Sequence, residues 1–160
     1  MVGAPGSGKS TLVEGIFPDA TVICPDANIG YTIEKPWTPQ AAKEAWFKAG
    51  RDLEEALKRK DDTIVFDATL VSIKKRKRYV QLARQHKIRI AAIYCLNTGL
   101  ARERNEDRDR SRRVPIEAFN SMASRLVAPS KEEGFDFVVE YDGVSIKKVA
   151  TSIESLRKQG

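Results

Sequence analysis

The first eleven residues of the chain contain its most specific chemical pattern. Gly3, Gly8, Lys9 and Ser10 fit G-x-x-x-x-G-K-[ST], the pattern of a loop that joins a buried strand to a helix and wraps its backbone around phosphate groups. The alternative is a glycine-rich turn before an ordinary helix, and chance rarely produces the full pattern in a chain of this length. The predicted nucleotide-binding loop consists of Gly3, Ala4, Pro5, Gly6, Ser7, Gly8, Lys9, Ser10 and Thr11.

Each residue type in this loop has a physical task. Gly3, Gly6 and Gly8 allow positive φ angles, so that several backbone N–H groups turn inward and form a concave anion site. Lys9 brings a positive charge to the β- and γ-phosphates, and the dipole of the helix that begins there adds to it. Ser10 supplies a small hydroxyl that can bind Mg²⁺. The loop therefore predicts a bound nucleoside triphosphate with Mg²⁺ as cofactor.

Two aspartates each follow a short apolar run of the kind found in buried strands. A carboxylate at Asp26 can orient an acceptor hydroxyl and take its proton as a γ-phosphoryl group is transferred. Asp67 has the position of an acid that supports Mg²⁺ together with Ser10, or that holds the acceptor, and Thr69 can bond a phosphate or the backbone nearby. The structural alternatives are an Asx turn at Asp26 and a helix-capping aspartate at Asp67.

Arginines follow the longest apolar run and are interleaved with acids. They are Arg104, Arg108, Arg110, Arg112 and Arg113. An arginine that closes over the γ-phosphate oxygens can contribute roughly 10³- to 10⁵-fold in rate. Some of these arginines are instead expected to pair with acids on a solvated helix. Arg108, followed by Arg104, is the predicted catalytic arginine.

Positive charge is concentrated in one part of the chain. The sequence has 28 Lys and Arg against 22 Asp and Glu, a net charge of +6, and residues 74–113 hold half of the cations but only four of the acids. This segregation favours a phosphate-rich partner, such as nucleic acid, beyond the nucleotide itself. The alternative is a basic helix that is merely solvated.

Length and composition fit one globular domain over residues 1–160, with 41% hydrophobic and 31% charged residues. The sequence has no apolar run near the roughly 18 residues that a membrane span requires, so no membrane association is predicted. Because the loop follows Met1 so closely, no signal peptide is recognised and a cytoplasmic location is expected. Only Met1 and Val2 represent the strand before the loop, so we expect the chain to be trimmed from a longer protein.

The two cysteines and the single histidine predict no metal site. Cys24 and Cys95 each end an apolar run, where a small buried thiol usually serves packing. His86 lies at the end of a predicted helix and is expected to be a solvated cap. Two cysteines and one histidine do not have the number or spacing of ligands of a structural zinc site.

Strand and helix patterns alternate along the whole sequence. The predicted helices are 9–16, 39–60, 73–85, 100–107, 116–127 and 145–158, with Thr38 and Ser72 as N-caps. After the stub at Val2, the predicted strands are 21–24, 63–67, 88–96 and 135–141. Such alternation predicts a mostly parallel sheet with helices on both faces, whose ligands bind beyond the carboxyl ends of the strands. That edge should bring together the loop, Asp26, Asp67 and the segment at Asn97.

In this order the motifs resemble those of the 5′-hydroxyl polynucleotide kinases and related P-loop kinases of phage and bacterial nucleic-acid repair or modification. The resemblance covers nearly the whole chain. It rests on residues 3–11, Pro25-Asp26, residues 66–69 with the basic residues 74–78, residues 104–108, Val114-Pro115, Pro129 and residues 133–135. It implies an α/β, three-layer P-loop kinase fold with a mostly parallel five-stranded sheet, helices on both faces and an arginine-rich lid over about 104–115.

The resemblance also implies residue roles. Asp26 corresponds to the general base, Lys9 and Ser10 to ligands of the triphosphate and Mg²⁺, and Arg108 to a lid arginine, while Asp67 would help to place the acceptor end.

The sequence departs from the family pattern at two positions. Ile29 stands where an arginine often follows the base, and Leu70 replaces the usual asparagine after Asp-Ala-Thr. Acceptor recognition is therefore expected to differ, with Lys74, Arg76 and Arg78 supplying contacts to the strand.

The sequence thus predicts transfer of the γ-phosphoryl group of ATP, with Mg²⁺, to a nucleic-acid hydroxyl, foremost a polynucleotide 5′-hydroxyl. The alternatives are a phage-type kinase of a hydroxymethylated DNA base, a small-molecule kinase for a sugar, nucleoside or antibiotic, and a nucleotide-dependent switch without an acceptor. DNA and RNA are both compatible with these motifs as acceptors, and ATP and GTP are both compatible as donors.

Overall fold

The computed structural model describes residues 1–28, 38–109 and 113–158. The helices in these ranges are α1 (Lys9–Ile16), α2 (Pro39–Arg59), α3 (Ile73–Gln85), α4 (Thr98–Glu106), α5 (Ile116–Ser124) and α6 (Ile146–Lys158). The strands are β1 (Thr21–Ile23), β2 (Ile64–Phe66), β3 (Ala91–Cys95) and β4 (Phe137–Tyr141). The predicted alternation of strands and helices is confirmed, and most boundaries lie within a few residues of those expected.

Side-chain caps begin three of the helices. The Thr38 hydroxyl accepts a hydrogen bond from the Ala41 N–H at 3.1 Å, and the Ser72 hydroxyl accepts one from the Lys75 N–H at 3.4 Å. Both caps were predicted. The Asn97 side chain begins α4 in the same way, because its Oδ1 accepts a hydrogen bond from the Leu100 N–H at 2.9 Å. Asn97 therefore serves to start a helix at the carboxyl edge of the sheet.

All strand pairs are parallel among the described residues. β1 pairs with β2 in the register Thr21↔Ile64, and β3 pairs with β4 in the register Ala91↔Phe137. Val2 forms an isolated parallel bridge with Tyr94. The backbone nitrogen of Met1 also donates to the Phe66 carbonyl at 2.9 Å, so the stub lies between β2 and β3.

The predicted five-stranded sheet is corrected to four strands plus this stub. Val2 donates to the Ile93 carbonyl and accepts from the Cys95 N–H, both at 2.8 Å. A single bridged residue, Val2, is too short for a ladder, and among the described residues the two parallel pairs are joined along residues 1–3. The order β1, β2, stub, β3, β4 nevertheless places the loop at the centre of the sheet.

Helices cover both faces of the sheet, as predicted. Leu12 and Val13 of α1 and Val149 and Ile153 of α6 pack on one face. The helices α2 and α3 cover the other face and share an apolar cluster. The buried members of this cluster are Ile23, Ala49, Leu53, Ala56 and Leu57. Successive residues of a strand point to opposite faces, so β3 directs Ile93 to the first face and Ala92 to the second.

A further apolar cluster joins the phosphate loop to α4 and α5. Ala4 and Ala101 are fully buried, and Phe119 packs with them. Val114, near the end of the predicted lid, and Ile116, just after it, pack against the same cluster. This cluster attaches the base of the arginine-rich segment to the loop.

Candidate active site

Residues 3–8 form a compact turn at the carboxyl edge of the sheet. Gly6 and Gly8 have φ angles of 82° and 84°, the conformation that the sequence predicted for them. A Cβ atom on Gly6 would overlap the carbonyl oxygen of Ala101 in α4. The loop therefore lies directly against α4, and glycine at position 6 is required by both backbone conformation and space.

The expectation of a positive φ at Gly3 is wrong, because the positive-φ glycines in the described chain do not include it. Glycine is required there by contact. A Cβ on Gly3 would lie 2.7 Å from Ser7 Oγ and 2.8 Å from the Cβ of Cys95. Cys95 is buried as predicted, and it forms part of the floor beneath the loop.

Lys9 begins α1 and folds back over the loop. Its Nζ donates to the carbonyl of Ala4 at 2.8 Å and to that of Gly3 at 3.2 Å, and it lies 3.4 Å from Ser7 Oγ. Burial lowers the pKa of Lys9, and Asp67 opposes this effect. The ammonium group thus lies at the centre of the loop, near the amino end of α1, where a bound anion would meet both the charge and the helix dipole.

Ser10 and Asp67 are directly bonded across the site. Ser10 Oγ donates to Asp67 Oδ2 at 2.7 Å. This contact excludes the helix-cap alternative for Asp67, because its partner lies on α1 and not on α3. The other oxygen, Asp67 Oδ1, is buried and has no hydrogen-bond partner among the described residues.

The Ser10–Asp67 pair fits a Mg²⁺ ion. Mg²⁺ prefers oxygen ligands and is commonly held by one or two carboxylates together with substrate phosphates. A buried carboxylate oxygen without a partner is costly unless it binds something. Within the described ranges, no cluster of three or more His, Cys, Asp or Glu residues could hold a metal alone. The donors present therefore match a metal that is shared with a nucleotide.

Asp26 lies at the start of a 3₁₀ turn (Asp26–Asn28) that follows β1. The backbone N–H groups of Asp26 and Ala27 are directed at the sulfur of Cys24. Loss of hydration raises the pKa of Asp26; Lys9 and Arg108 oppose this effect, and the negative charge of Asp67 adds to it. The carboxylate is thus close to three charged groups of the predicted site.

Arg108 and Arg104 occupy different sides of the phosphate loop. The positive charge of Arg108 acts on both Asp26 and Lys9 and lowers the pKa of each. Arg104 Nη2 donates to the Gly143 carbonyl at 3.1 Å, and its Nη1 lies 3.3 Å from where a Cβ on Gly8 would be. Of these two arginines, Arg108 therefore affects the pKa of Asp26, whereas Arg104 lies beside the turn that begins α1.

The predicted lid arginines divide further. Arg113 donates from Nε and Nη2 to the backbone carbonyl of Arg108, at 3.2 and 2.9 Å. The guanidinium of Arg113 is therefore hydrogen-bonded within the predicted lid itself. Arg110 and Arg112 lie outside the described residues, as does Ile29.

Arg76 requires the clearest correction. The sequence predicted that it would bind an acceptor, but its side chain is 1% exposed. It forms a two-point ion pair with Glu133 at 2.6 and 2.7 Å and donates to the carbonyls of Leu70 and Val127 at 3.0 and 2.9 Å. Its position on α3 turns it inward beside Tyr79 and Val80, so it is a structural residue.

The remaining predicted acceptor residues lie around Asp67 and on α3. Thr69 is half-buried, and its carbonyl accepts the Gly3 N–H at 3.4 Å. Lys74 is exposed. Arg78 is also exposed and forms a loose ion pair with Glu54 at 3.6 Å. Lys74 and Arg78 are thus accessible to a partner, unlike Arg76.

Two residues at the site were not recognised from the sequence. Tyr141 ends β4 and is buried 3.4 Å from where a Cβ on Gly8 would be, and the rule that places sites at the carboxyl ends of strands would have indicated it. Asn105 is 1% exposed and exchanges two hydrogen bonds with the backbone of Val114, at 2.8 and 3.1 Å. No periodic or charge pattern identifies such a contact.

The structure also contains a cavity apart from the site. A cavity of about 320 Å³ lies away from it, along mainly apolar residues such as Leu57, Ile64 and Ile90. Its lining lacks the loop, Asp26 and Arg108.

None of the described helices combines the length and apolar character needed to cross a membrane.

Comparison with known proteins identifies a matching family and a relative. Residues 1–129 match the protein family described as an AAA domain. A bifunctional polynucleotide phosphatase/kinase from Schizosaccharomyces pombe is 35% identical over 144 residues, which is 88% of this chain. The chain spans 32% of the length of that relative.

A solved gluconokinase from Sinorhizobium meliloti 1021 has a similar fold. The TM-score is 0.61, and the match covers 99% of this chain and 94% of that one at 18% identity. The fold is therefore the α/β P-loop kinase fold that the sequence predicted.

Proposed function

The chain belongs to the AAA domain family, and from that premise we propose that it is an ATP-dependent kinase whose acceptor is a 5′-hydroxyl of a nucleic acid. The observation that carries this proposal is the position of Asp26 directly after β1, at the edge that holds the phosphate loop, where the charges of Lys9, Asp67 and Arg108 all affect its pKa. A nucleotide switch needs a phosphate site and Mg²⁺ ligands, but it needs no second carboxylate with a raised pKa facing them. A kinase requires such a group at the acceptor.

The phosphate loop and Lys9 bind and orient the triphosphate. On nucleotide binding, Lys9 exchanges the carbonyls of Gly3 and Ala4 for phosphate oxygens. Ser10 and Asp67 would hold Mg²⁺, which supplies neutralising charge at the phosphates when it is bound. Arg104 lies beside Gly8 and is available to the nucleotide from the other side of the loop.

Asp26 acts on the acceptor. Its carboxylate accepts the proton of the acceptor hydroxyl while the acceptor oxygen bonds to the γ-phosphorus and the bond to the bridging oxygen of ADP breaks. A raised pKa makes this carboxylate a stronger base. Arg108, on the same side, stabilises charge on the transferred group. Thr69, Lys74 and Arg78 are the proposed contacts to the acceptor strand.

A nucleic-acid acceptor is favoured over a small molecule by two observations. The relative that covers most of this chain is a polynucleotide phosphatase/kinase by its printed name. The positive charge is concentrated in residues 74–113. The likeness to gluconokinase, at 18% identity, supports the fold and carries no information on the acceptor.

The direct test supplies purified protein, Mg²⁺ and γ-labelled ATP with 5′-hydroxyl oligodeoxynucleotides, oligoribonucleotides, DNA containing hydroxymethylated bases, and gluconate. We expect label at the 5′ end of an oligonucleotide. Asp26→Asn should remove transfer and leave nucleotide binding intact. Label only on internal bases or only on gluconate would contradict the proposed acceptor, and release of phosphate without any labelled acceptor would contradict the kinase.

A further inference from the structure

Contacts among three aromatic rings show which positions of α2 and α3 lie beside the site. The ring of Phe66, the residue before Asp67, lies 6.1 Å from that of Trp46 on α2 and 4.5 Å from that of Tyr79 on α3. These two helix positions therefore lie level with the carboxyl end of β2. The residues next to them in sequence, Phe47 and Arg78, emerge on the outer surface at the same level.

The outer surface at this level combines an exposed aromatic ring with cations. Phe47 is 69% exposed, and the Arg51 guanidinium lies over its ring at 5.5 Å from the centroid. Arg78 Nη2 lies 3.4 Å from where a Cβ on Gly50 would be, so it is next to the same stretch of α2. We name Phe47, Arg51 and Arg78 the Phe47 surface.

Lys74 connects this surface with the site. It lies four residues before Arg78 and therefore on the same side of α3, one turn nearer to Asp67. The side chains of Lys74 and Arg78 are both exposed. Among the ion pairs of the described chain, Glu54 is the single acid that pairs with these residues. It lies 3.6 Å from Arg78 and is itself half exposed.

We propose that the Phe47 surface binds an unpaired nucleic-acid strand downstream of its reacting end, with a base stacked on Phe47 and phosphates at Arg51 and Arg78. An aromatic ring flanked by arginines matches what single strands require, because bases stack on the ring and the backbone needs positive charge. A duplex end would not offer its bases to a ring on a convex helix. This inference rests on the proposed function and adds that the acceptor is single-stranded over several nucleotides.

The test uses the full chain and 5′-hydroxyl oligodeoxynucleotides of three and twelve nucleotides. Phe47→Ala should weaken binding of a fluorescein-labelled 12-mer by about 5- to 100-fold and leave kcat/KM for the 3-mer unchanged. Phe47→Trp should retain the wild-type affinity. Arg51→Ala should reduce the slope of log K against log salt concentration by about 0.7. The matched controls are Val144→Ala, at a residue 71% exposed, and Arg59→Ala, whose cation is 57% exposed and lies outside residues 74–113.

The outcomes separate this inference from the proposed function. If oligonucleotides are phosphorylated but Phe47→Ala behaves like Val144→Ala, the surface is wrong and the kinase assignment stands. If oligonucleotides are not phosphorylated but Phe47→Ala still weakens their binding, the surface stands and the acceptor assignment fails. Equal loss for both lengths would overturn the surface, because it would place the effect at the reacting end. Melting curves of each variant establish that it is folded.

Discussion

Asp26 and Asp67 are two carboxylates whose charges both act on Lys9, and they differ in burial and in bonding partners. Asp67 is buried and bonded to Ser10 through one oxygen. Asp26 lies at the outer edge of the site, has its pKa raised by loss of hydration, and is held below its fully desolvated value by Lys9 and Arg108. Carboxylates whose environments differ in this way can divide metal support and base catalysis between them.

Asp26→Asn is expected to lower kcat by at least about 100-fold, because the acceptor loses its base. The affinity for ATP should persist, since the loop is untouched. The unfolding midpoint at pH 7 should stay equal or rise, because a raised pKa means that the folded state disfavours the charged carboxylate. Phosphoryl-transfer kinetics, nucleotide titration and thermal melting check these points. Asp19→Asn, in an exposed turn, is the control, and a variant with near-normal kcat would exclude Asp26 as the base.

The acid limb of the pH profile should report the same group. The kcat should fall as pH decreases through the pKa of Asp26, which lies above the ordinary aspartate value. Arg108 lowers this pKa, so Arg108→Ala should raise it and move the acid limb to higher pH. Measured profiles of both proteins give the comparison. A limb that stays in place, or moves to lower pH, would show that Arg108 does not act on the titrating group.

At the scale of elements, α4 links the phosphate loop to the arginine-rich segment. Gly6 packs on the backbone of α4. Asn105, in the last turn of α4, donates to the Val114 carbonyl and accepts from the Val114 N–H. Arg113 donates a hydrogen bond to the Arg108 carbonyl, and both residues lie in sequence between Asn105 and Val114. We therefore expect the position of Arg108 to depend on Asn105, which bonds the backbone of Val114.

Asn105→Ala should lower kcat through Arg108 and leave the KM for ATP nearly unchanged. Removing the amide also leaves the Val114 N–H and C=O without partners, at a cost of about 1–3 kcal/mol in the free energy of unfolding. Because Asn105 is a positioning residue, adding Asn105→Ala to Arg108→Ala should lower kcat no further. Steady-state kinetics of the double-mutant cycle decide this, with the exposed Asn120→Ala as control. Additive losses in kcat would refute the coupling.

The buried Arg76–Glu133 pair holds α3 to the segment before β4. Arg76→Met should lower the free energy of unfolding by about 3–5 kcal/mol, because it leaves the Glu133 carboxylate buried and unpaired. The double variant Arg76→Met, Glu133→Leu should recover part of this loss. Arg78→Met, at an exposed pair, should cost at most about 1 kcal/mol. Urea unfolding compares the three, and equal losses for Arg76→Met and Arg78→Met would contradict the internal role of Arg76.

At the scale of the whole molecule, charge and architecture are arranged independently. The apolar helix faces cover both sides of the sheet, while Lys74 and Arg78 are exposed on α3 and the charge of Arg108 reaches Asp26 at the carboxyl edge. Arg76 and Arg113 are exceptions, since Arg76 is buried against Glu133 and Arg113 donates to the Arg108 carbonyl. The field at this edge is therefore available to a polyanion.

Binding of a 12-nucleotide 5′-hydroxyl strand should consequently weaken steeply with salt. If several phosphates are neutralised, log K should fall linearly with log salt concentration, with a slope of roughly −0.7 for each. A neutral or singly charged small acceptor should show almost no slope. Anisotropy titrations between about 50 and 200 mM salt test this. A flat response for the strand would refute an extended polyanion contact.

Most of the fold could be predicted from the sequence. The loop motif, apolar runs and helix periods gave α1 and α3 with their observed ends, the caps at Thr38 and Ser72, and the parallel sheet. These features are local or depend on the period of the pattern, so the order of residues suffices to define them. Placing Asp26 and Asp67 at one edge followed from the parallel sheet alone.

What required the tertiary structure is which charges are used internally. Arg76 and Arg78 lie two residues apart in one basic run, yet one is buried on Glu133 and the other is exposed. Arg113 and Arg108 look equivalent in sequence, but one binds the backbone carbonyl of the other. These outcomes depend on partners 57 residues away for Arg76 and on the closure of a loop for Arg113. The sequence determined the phosphate loop and the edge at which it acts, whereas the tertiary structure decided which cations remain for a substrate, because only packing brings distant acids and carbonyls within bonding distance.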